Sequence, residues 1–487
     1  MTRFKVDPRA WAEQEFGHAL VDDRRNTARG IQMLERLVAR PAGTVTAVFD
    51  NDAELQGAYD WLENSRVQPT AVQEALGRAA ATRCQGLPYV LVPEDGSSLR
   101  VTDKGKDKGT GSIGTRKSGA RGLKVISALA VRPDGTVLGV LGQHGWARPA
   151  RAPTVPAAQR PLAEKETRHW LEVREQARDR LQRFAPGCRP WFQIDREGDN
   201  AAVLLDVLDH GDETWTTVRA TWNRRLAAAA ADGTQQRLHD AVKTPQWAGT
   251  MVLDVPASKT RTARHATLTV RAAEVALQVT LRLSDRPTTA VPLWVVHVLE
   301  TSAVPGGEAP IEWWLLTNGP VASFEDVLRV VQNYASRWRV EDFHKAIKSG
   351  AGHVEAMQLR SVGALVKWAI FHSGVAARTV GLAWLARTEP DLPATDVFSA
   401  AELNAVDALQ ARSRFGAART LPVRTVVFLI AKLGGYTGRR PERDAPGFVT
   451  IMRGLRRVLD VARAFRNRSR HQRTNSAANS TPEETNG

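Results

Sequence analysis

Residues 89–95, Tyr-Val-Leu-Val-Pro-Glu-Asp, lie where the sequence changes from helical to strand patterns. Tyr89–Val92 is a short apolar run that favours a buried strand, and it ends at Pro93-Glu94-Asp95. Side chains at the ends of buried strands can face a site. A single acidic residue there is more often a turn former or a helix cap. Asp95 alone therefore predicts no function.

The elements that follow this strand predict a mixed sheet. The runs Leu123–Val131 and Val137–Leu141 are apolar and β-branched, and Pro133-Asp134-Gly135 supplies a turn, which predicts a hairpin. We then expect a helix, a strand, a helix and a strand, at residues 157–184, 190–194, 201–208 and 215–221. This is the element order of a ribonuclease-H-like core, an α/β fold in which helices flank a mixed sheet.

A segment far along the chain, residues 334–348, carries polar residues at helical spacing. Ser323 with Asp326 is a helix start signal of the capping-box type, and Gly350 is a stop signal, so we expect one helix. At about 100° per residue, four side chains share a stripe about 60° wide. These four residues are Tyr334, Arg337, Glu341 and Lys348. A solvated face of spaced ion pairs is the alternative interpretation.

Three carboxylates from separate elements suit a metal-dependent reaction. Asp95 and Asp195 each follow a predicted core strand, and Glu341 lies on the helix. Mg²⁺ prefers such hard oxygen ligands and keeps positions open for phosphate and water. A pair of ions about 4 Å apart stabilises both the attacking and the leaving oxygen in phosphoryl transfer. We therefore predict that these residues bind Mg²⁺, with Mn²⁺ as a substitute, and that Arg337 and Lys348 contact phosphates.

The domain organisation follows from composition and periodicity. Helical patterns within the first 84 residues cover Ala10–Leu20, Asp22–Ala39, Asp52–Asn64 and Ala71–Arg83. We expect the following parts: a helical domain at 1–84, the first part of the core at 85–224, a β-rich insertion at 225–320, the final core helix at 321–360, a helical region at 361–466 and a disordered tail at 467–487.

The overall charge favours a polyanionic partner. The chain has 487 residues, 67 of them Lys or Arg against 52 Asp or Glu, a formal charge of +15. Neutralising phosphates with such cations releases counterions and favours nucleic-acid binding. No apolar run is long enough to span a membrane, the N-terminus lacks a secretory signal pattern, and two cysteines suit a reducing cytosol. We expect a cytoplasmic, nucleoid-associated bacterial protein with no small-molecule cofactor.

The residues quoted above resemble those of the IS-four family of insertion-sequence transposases, which use a DDE motif. The helix segment matches the family pattern Y-x2-R-x3-E-x6-K. The sequence Glu-Asp-Gly-Ser-Ser-Leu at 94–99 is similar to the family's first aspartate block, and Asp-Arg-Glu-Gly-Asp at 195–199 to its second. Shorter similarities at residues 22–29, 111–113, 314–317 and 320–321 extend the resemblance over about residues 5 to 460.

The resemblance implies an activity and roles for individual residues. Asp95, Asp195 and Glu341 would be the catalytic triad of a cut-and-paste enzyme that nicks DNA, forms and opens a hairpin on the transposon end, and transfers the strand. Tyr334 would contact phosphate. A base flipped out for the hairpin would stack on an aromatic ring. Further DNA-binding residues would be Trp313, with Trp314 as its alternative, Trp338 and Arg219.

Binding partners are implied in the same way. The N-terminal helical domain would read the terminal repeat of the element, and the arginines there are Arg24, Arg25 and Arg29. The apolar helices expected at 362–386 and 422–432 need a partner surface. The resemblance implies that 1–84 is a DNA-binding domain, that 361–466 is a dimerisation region, and that the protein acts as a homodimer on double-stranded transposon ends and target DNA.

Several alternatives stay open. The chain could be a ribonuclease-H-like nuclease that cuts without joining, or a DNA-binding protein that has lost its activity. Trp313 and Trp314 could be core residues of the insertion. The basic loop from Lys104 to Arg121 could contact the DNA backbone or be a mobile loop. We expect His344 on the helix surface, without a role as a metal ligand.

Overall fold

The computed structural model describes residues 7–103, 108–114, 119–149, 153–229, 232–255, 261–349, 352–410, 416–440 and 446–478. Within these ranges, no helix has both the length and the apolar character needed to cross a membrane.

Five helices precede the sheet. They are α1 Pro8–Phe16, α2 Arg24–Ala39, α3 Val45–Val48, α4 Asp52–Glu63 and α5 Pro69–Thr82. Asp7, Asp23 and Asn51 cap α1, α2 and α4 by accepting hydrogen bonds from backbone N–H groups of the first turn. Trp11 and Trp61 lie in the core that these helices share. The four helices predicted here are confirmed with shifted ends, and the short α3 is an addition.

The first half of the sheet is mixed. Its elements are β1 Tyr89–Arg100, β2 Gly111–Ser112, β3 Arg121–Val131, β4 Val137–Trp146, α6 Arg168–Phe184, β5 Arg189–Ile194, α7 Ala201–Asp209 and β6 Trp215–Arg219. Antiparallel β3 joins β4 to β1, and β1, β5 and β6 are parallel neighbours. The predicted hairpin and strands are confirmed. The helix expected from residue 157 begins only at Arg168, because Pro161 interrupts the pattern and short 3₁₀ turns precede it.

The segment between the core and the late helices is β-rich, as expected. It contains β7 Arg225–Ala229, β8 Gln235–Arg237, α8 Leu238–Ala241, β9 Trp247–Val255, β10 Arg264–Val279, β11 Thr289–Glu300 and β12 Glu312–Thr317. Strand β12 pairs with β6 in antiparallel register, with Leu315 opposite Arg219 and Thr317 opposite Thr217. Strands β11 and β10 continue the same sheet. The insertion therefore extends the core sheet.

The segment expected to be one helix from Ser323 to Gly350 forms two, α9 Phe324–Ala335 and α10 Trp338–Ser349. Ser323 and Asp326 form the predicted capping box. At the junction the backbone tightens, because the N–H groups of Arg337 and Val340 donate to carbonyls three residues earlier, at 3.0 and 3.1 Å. A turn of three residues rotates each side chain by about 120°. The prediction of a single helix is therefore wrong at this junction, although Arg337 still contacts Glu341 one turn later.

The C-terminal part is helical, with α11 Val362–Thr388, α12 Ala400–Leu409, α13 Val423–Leu433 and α14 Phe448–Ala478. The apolar α11 is buried over most of its length and packs on α4, α5, α10 and β4. Its partner surface therefore lies within the same chain. The disorder expected from residue 467 is wrong up to Ala478, where α14 continues, because arginine, glutamine and alanine favour helix despite low apolar content. Residues 479–487 lie outside the described part.

Candidate active site

Asp95 lies within β1. The expectation that it lies just beyond the strand is wrong, because Gly96–Arg100 continue the pairing with β3 and Asp95 itself lies opposite Ser127. Successive side chains alternate between the two faces of the sheet. Glu94 is buried 3.7 Å from Arg174 of α6. Asp95 faces the other side, where α10 packs.

Asp195 directly follows β5, as expected. The parallel register pairs Glu94 of β1 with Ile194 of β5, so Asp95 and Asp195 occupy the next positions on adjacent strands. Adjacent strands lie about 4.8 Å apart. An Asp195 carboxylate oxygen accepts a hydrogen bond from the backbone N–H of Glu197 at 2.8 Å, which caps a short 3₁₀ turn. The fold therefore brings two predicted site residues together from positions 100 apart in sequence.

Arg337 lies between the first and third predicted carboxylates. Its guanidinium is 2.8 Å from Glu341 Oε1 and 4.0 Å from Asp95 Oδ2, and its side chain is buried. The Glu341 side chain is about half exposed, at 47%. Glu341 therefore faces solvent at the rim of the site, joined to Asp95 through one cation.

Burial raises the pKa of Asp95 to about 7, and the neighbouring Asp195 carboxylate adds to the rise, while Arg337 opposes it. Partial burial and Asp195 also raise the pKa of Glu197. Asp95 and Glu197, whose pKa values are raised, both lie near Asp195 at this edge of the sheet. A bound cation would reduce the repulsion between these negative charges. Acidic oxygens of this kind are the donors that Mg²⁺ and Mn²⁺ prefer. The residues present therefore fit a divalent cation.

The aromatic residues predicted to contact DNA lie behind the carboxylates. Tyr334 is buried, and its ring is 5.2 Å from that of Trp313. Trp313 is only 3% exposed and also packs against Trp338, at 6.2 Å. Trp314 points to the other face of β12, where its ring stacks 3.9 Å from both His239 and His297. Trp313 is thus the tryptophan on the side of Tyr334.

Three cations complete the rim. Burial lowers the pKa of Lys348, and the nearby Lys124 ammonium acts in the same direction, while Asp95 opposes both. Lys124 lies on β3, 3.1 Å from the Ser98 hydroxyl. Arg219 lies at the end of β6 and donates to the carbonyl of Glu312 at 2.9 Å. Lys348 and Arg219 were predicted site residues, whereas Lys124 was not.

His344 corrects one expectation. The side chain is only 12% exposed, and Nδ1 lies 3.8 Å from Asp95 Oδ2, so the histidine is not a helix-surface residue. Burial, together with the nearby charges of Lys348 and Arg337, lowers its pKa to about 3, so the ring is neutral at pH 7. It lies four residues after Val340 and three before Ile347, both buried, and this apolar spacing, present in the sequence, places it on the inner side of α10.

The remaining predicted DNA-binding residues lie on α2, where Arg24 and Arg25 are exposed and Arg29 donates to Gln32 at 2.8 Å. Within the basic loop, residues 104–107 and 115–118 lie outside the described part of the chain. Of its described cations, Arg121 lies 3.4 Å from the Asp103 carboxylate.

Residues 8–67 match the family model described as the transposase DNA-binding domain. The match covers α1 to α4 and the exposed arginines at the start of α2. It supports a transposase that binds DNA, and it assigns that binding to the N-terminal helices.

Proposed function

We propose that the chain is a cut-and-paste DNA transposase of the DDE class, whose reaction takes place at Asp95, Asp195 and Glu341. One observation carries the proposal. Asp95 and Asp195 occupy adjacent positions on parallel strands beside the buried guanidinium of Arg337, in a chain whose residues 8–67 match a transposase DNA-binding domain. The DNA-binding match supports DNA as the substrate, and the carboxylates support metal-dependent phosphoryl transfer as the reaction.

The arrangement of the core strands supports a ribonuclease-H-like fold. Strands β4, β3 and β1 are antiparallel neighbours, and β5 and β6 add in parallel on the other side of β1. Helix α10 packs on β1 and β3 and brings Glu341 and His344 to the edge where Asp95 lies. Two carboxylates on central strands and one on a late helix are what this fold offers for phosphoryl transfer.

Asp95, Asp195 and Glu341 would hold the divalent ions. When bound, such ions make water or a 3′-hydroxyl a better nucleophile and neutralise the charge that develops on phosphate oxygens. Glu341 can turn from Arg337 toward the carboxylates of the strands because its side chain is half exposed. His344, neutral and 3.8 Å from Asp95, would position that carboxylate.

Cations around the carboxylates would hold the DNA backbone. Arg337, Lys348 and Lys124 present donors at the rim, and a guanidinium can bind a phosphate through two parallel hydrogen bonds. The buried Tyr334 and Trp313 sit behind Arg337. Because Trp313 is buried, DNA binding must first expose its indole before a flipped base can stack on it.

The finer steps rest on the resemblance to the IS-four family. Nicking, hairpin formation, hairpin opening and strand transfer each involve in-line attack by water or a 3′-hydroxyl on a phosphodiester, so one site can perform all four. The same resemblance supports a homodimer that pairs two transposon ends. A nuclease that cuts without joining is the second candidate, and its products would distinguish it.

The experiment compares the wild type with Asp195→Asn and Asp209→Asn on a labelled duplex that carries the inverted repeat flanking the gene. Asp209 pairs with Arg286 on the surface and is the matched control. With Mg²⁺, Asp195→Asn should cleave about 10³-fold more slowly or worse, with repeat binding within a few-fold of the wild type. Asp209→Asn should behave as the wild type. Full cleavage by Asp195→Asn would refute the site, and cleaved ends that never join to a target would favour the nuclease.

A further inference from the structure

A group of possible metal ligands lies on the opposite face of the sheet from Asp95. His144 of β4 lies opposite Ile126 of β3, which lies opposite Gly96 of β1. Directly opposed residues share a face, and a Cβ at Gly96 would meet Trp170 of α6 at 3.6 Å. His144 therefore projects toward α6, whereas Asp95 projects toward α10.

The ligand atoms come from two elements. His144, on β4, meets His169 and Glu172, which are three residues apart on α6, and one ligand atom from each lies within 4.8 Å of the other two. Among the described residues, this is the group of at least three His, Cys, Asp or Glu side chains whose ligand atoms lie this close together. Helical spacing of three places His169 and Glu172 on the same side of α6.

We propose that His144, His169 and Glu172 form a site for one transition-metal ion of the Zn²⁺ type, separate from the carboxylates of the active site. Two imidazole nitrogens and one carboxylate oxygen are a ligand set that suits Zn²⁺ better than Mg²⁺. The ion would fasten the end of β4 to α6.

The distances between ligand atoms fit one shared ion. Glu172 Oε2 lies 2.8 Å from His169 Nδ1 and 3.5 Å from His144 Nδ1. Bonds of about 2.1 Å to a common ion put two ligands about 3.0 Å apart at a right angle and about 3.4 Å apart at a tetrahedral angle. The present distances bracket these values, so the ion would take the place of the hydrogen bond between His169 and Glu172.

The surroundings allow the small movement that binding requires. The two imidazoles stack at 4.3 Å with 15° between their planes, so at least one ring must tilt for both nitrogens to point at one ion. His144 can tilt because its side chain is 32% exposed, whereas His169, at 6%, is also packed by Trp146 at 4.3 Å. Burial and the neighbouring His169 lower the pKa of His144.

Coordination by Glu172 would use one oxygen. Oε2 faces the histidines, whereas Oε1 lies 3.7 Å from Arg168 Nε. The Glu172 side chain is 43% exposed, so water can complete the coordination sphere from the solvent side. Three protein ligands and water are a known arrangement for Zn²⁺.

The test uses the full chain without a histidine tag, stripped of metal, in the absence of DNA. Zn²⁺ is titrated in competition with a chromophoric chelator, which gives both stoichiometry and affinity. We expect one tight equivalent per chain, and at least about tenfold weaker binding in His144→Ala, His169→Ala and Glu172→Gln. His239→Ala is the matched control, because His239 also stacks on a neighbouring ring, that of Trp314, on the sheet surface.

Circular dichroism checks that each variant is folded, and Glu172→Gln keeps the shape of the side chain if an alanine variant fails. Wild-type protein that takes up no tight equivalent, or variants that bind Zn²⁺ as the wild type does, would overturn the proposal. Zn²⁺ binding that is lost in Asp95→Asn but kept in His144→Ala would overturn it too. Because the readout requires neither DNA nor cleavage, its failure is distinct from failure of the proposed transposase activity.

Discussion

Replacing Arg337 with methionine should strengthen metal binding and weaken DNA cleavage at the same time. Methionine keeps an unbranched apolar side chain of similar length and removes the guanidinium charge. In the wild type this guanidinium lies 2.8 Å from Glu341 and 4.0 Å from Asp95. A divalent ion must displace this guanidinium from Glu341 in the wild type. It need not do so in the variant, so the variant should bind the ion more tightly.

The magnitude follows from the two contacts of Arg337. The pair with the half-exposed Glu341 is worth about 0.5 kcal/mol. At 4.0 Å and an effective dielectric constant of about 20, the attraction to Asp95 is about 4 kcal/mol before desolvation, most of which burial of both groups cancels. A net release of about 1.5 kcal/mol corresponds to roughly tenfold tighter binding of the cation.

The assay is calorimetric titration of Mn²⁺ or Mg²⁺ into metal-free protein, followed by DNA cleavage at saturating metal. Arg329→Met is the control, because Arg329 forms a comparable 2.7 Å pair with Asp326 on the surface, away from the site. Cleavage by Arg337→Met should fall at saturating metal because a phosphate contact is lost. Metal affinity that is unchanged or weaker in Arg337→Met would refute the view that this guanidinium competes for the carboxylates.

Three other outcomes follow from buried groups. Arg83→Met should lower the free energy of unfolding by about 3–5 kcal/mol, because it leaves Glu15 buried without its 2.5 Å partner. Adding Glu15→Met should recover most of this loss, and urea denaturation measures both variants. Trp313→Ala should cost about 3–5 kcal/mol in the same assay, and a variant as stable as the wild type would show that the indole is not packed. Burial lowers the pKa of His372 to about 3 from an ordinary 6.5, so the unfolded chain binds a proton that the folded chain does not. The wild type should therefore lose up to about 1.4 kcal/mol per pH unit as pH falls from about 6.5 toward 3, and equal pH slopes in wild type and His372→Asn would contradict this.

Much of the site could be predicted from the sequence. Asp195 follows a short apolar run that favours a buried strand, and Glu341 lies in a polar segment with clear helical start and stop signals. Strand β5 and the capping box of α9 form as predicted because local apolar content and side-chain capping determine them. Asp95 was predicted as a site residue at the end of a strand; in the structure it lies within β1 and faces α10.

The rest depends on contacts that no local pattern records. The extension of β1 beyond Asp95 comes from pairing with β3, and glycine and serine at 96–98 are poor strand formers on their own. The tightened turn at Arg337 breaks a helix whose sequence has no proline or glycine there. Lys124 joins the rim only because β3 is paired with β1. His144 and His169 meet across 24 residues of sequence that contain no metal-binding spacing.

The pairing of β12 with β6 has a consequence for how the protein could be shortened. Removing the insertion together with β12 would turn β6, Trp-Thr-Thr-Val-Arg, into an edge strand with a row of unsatisfied backbone N–H and C=O groups. Its β-prone residues would make it a template for strands of other molecules. The insertion covers this strand through β12, and a shortened version of the chain would need charged residues or proline along β6 in its place.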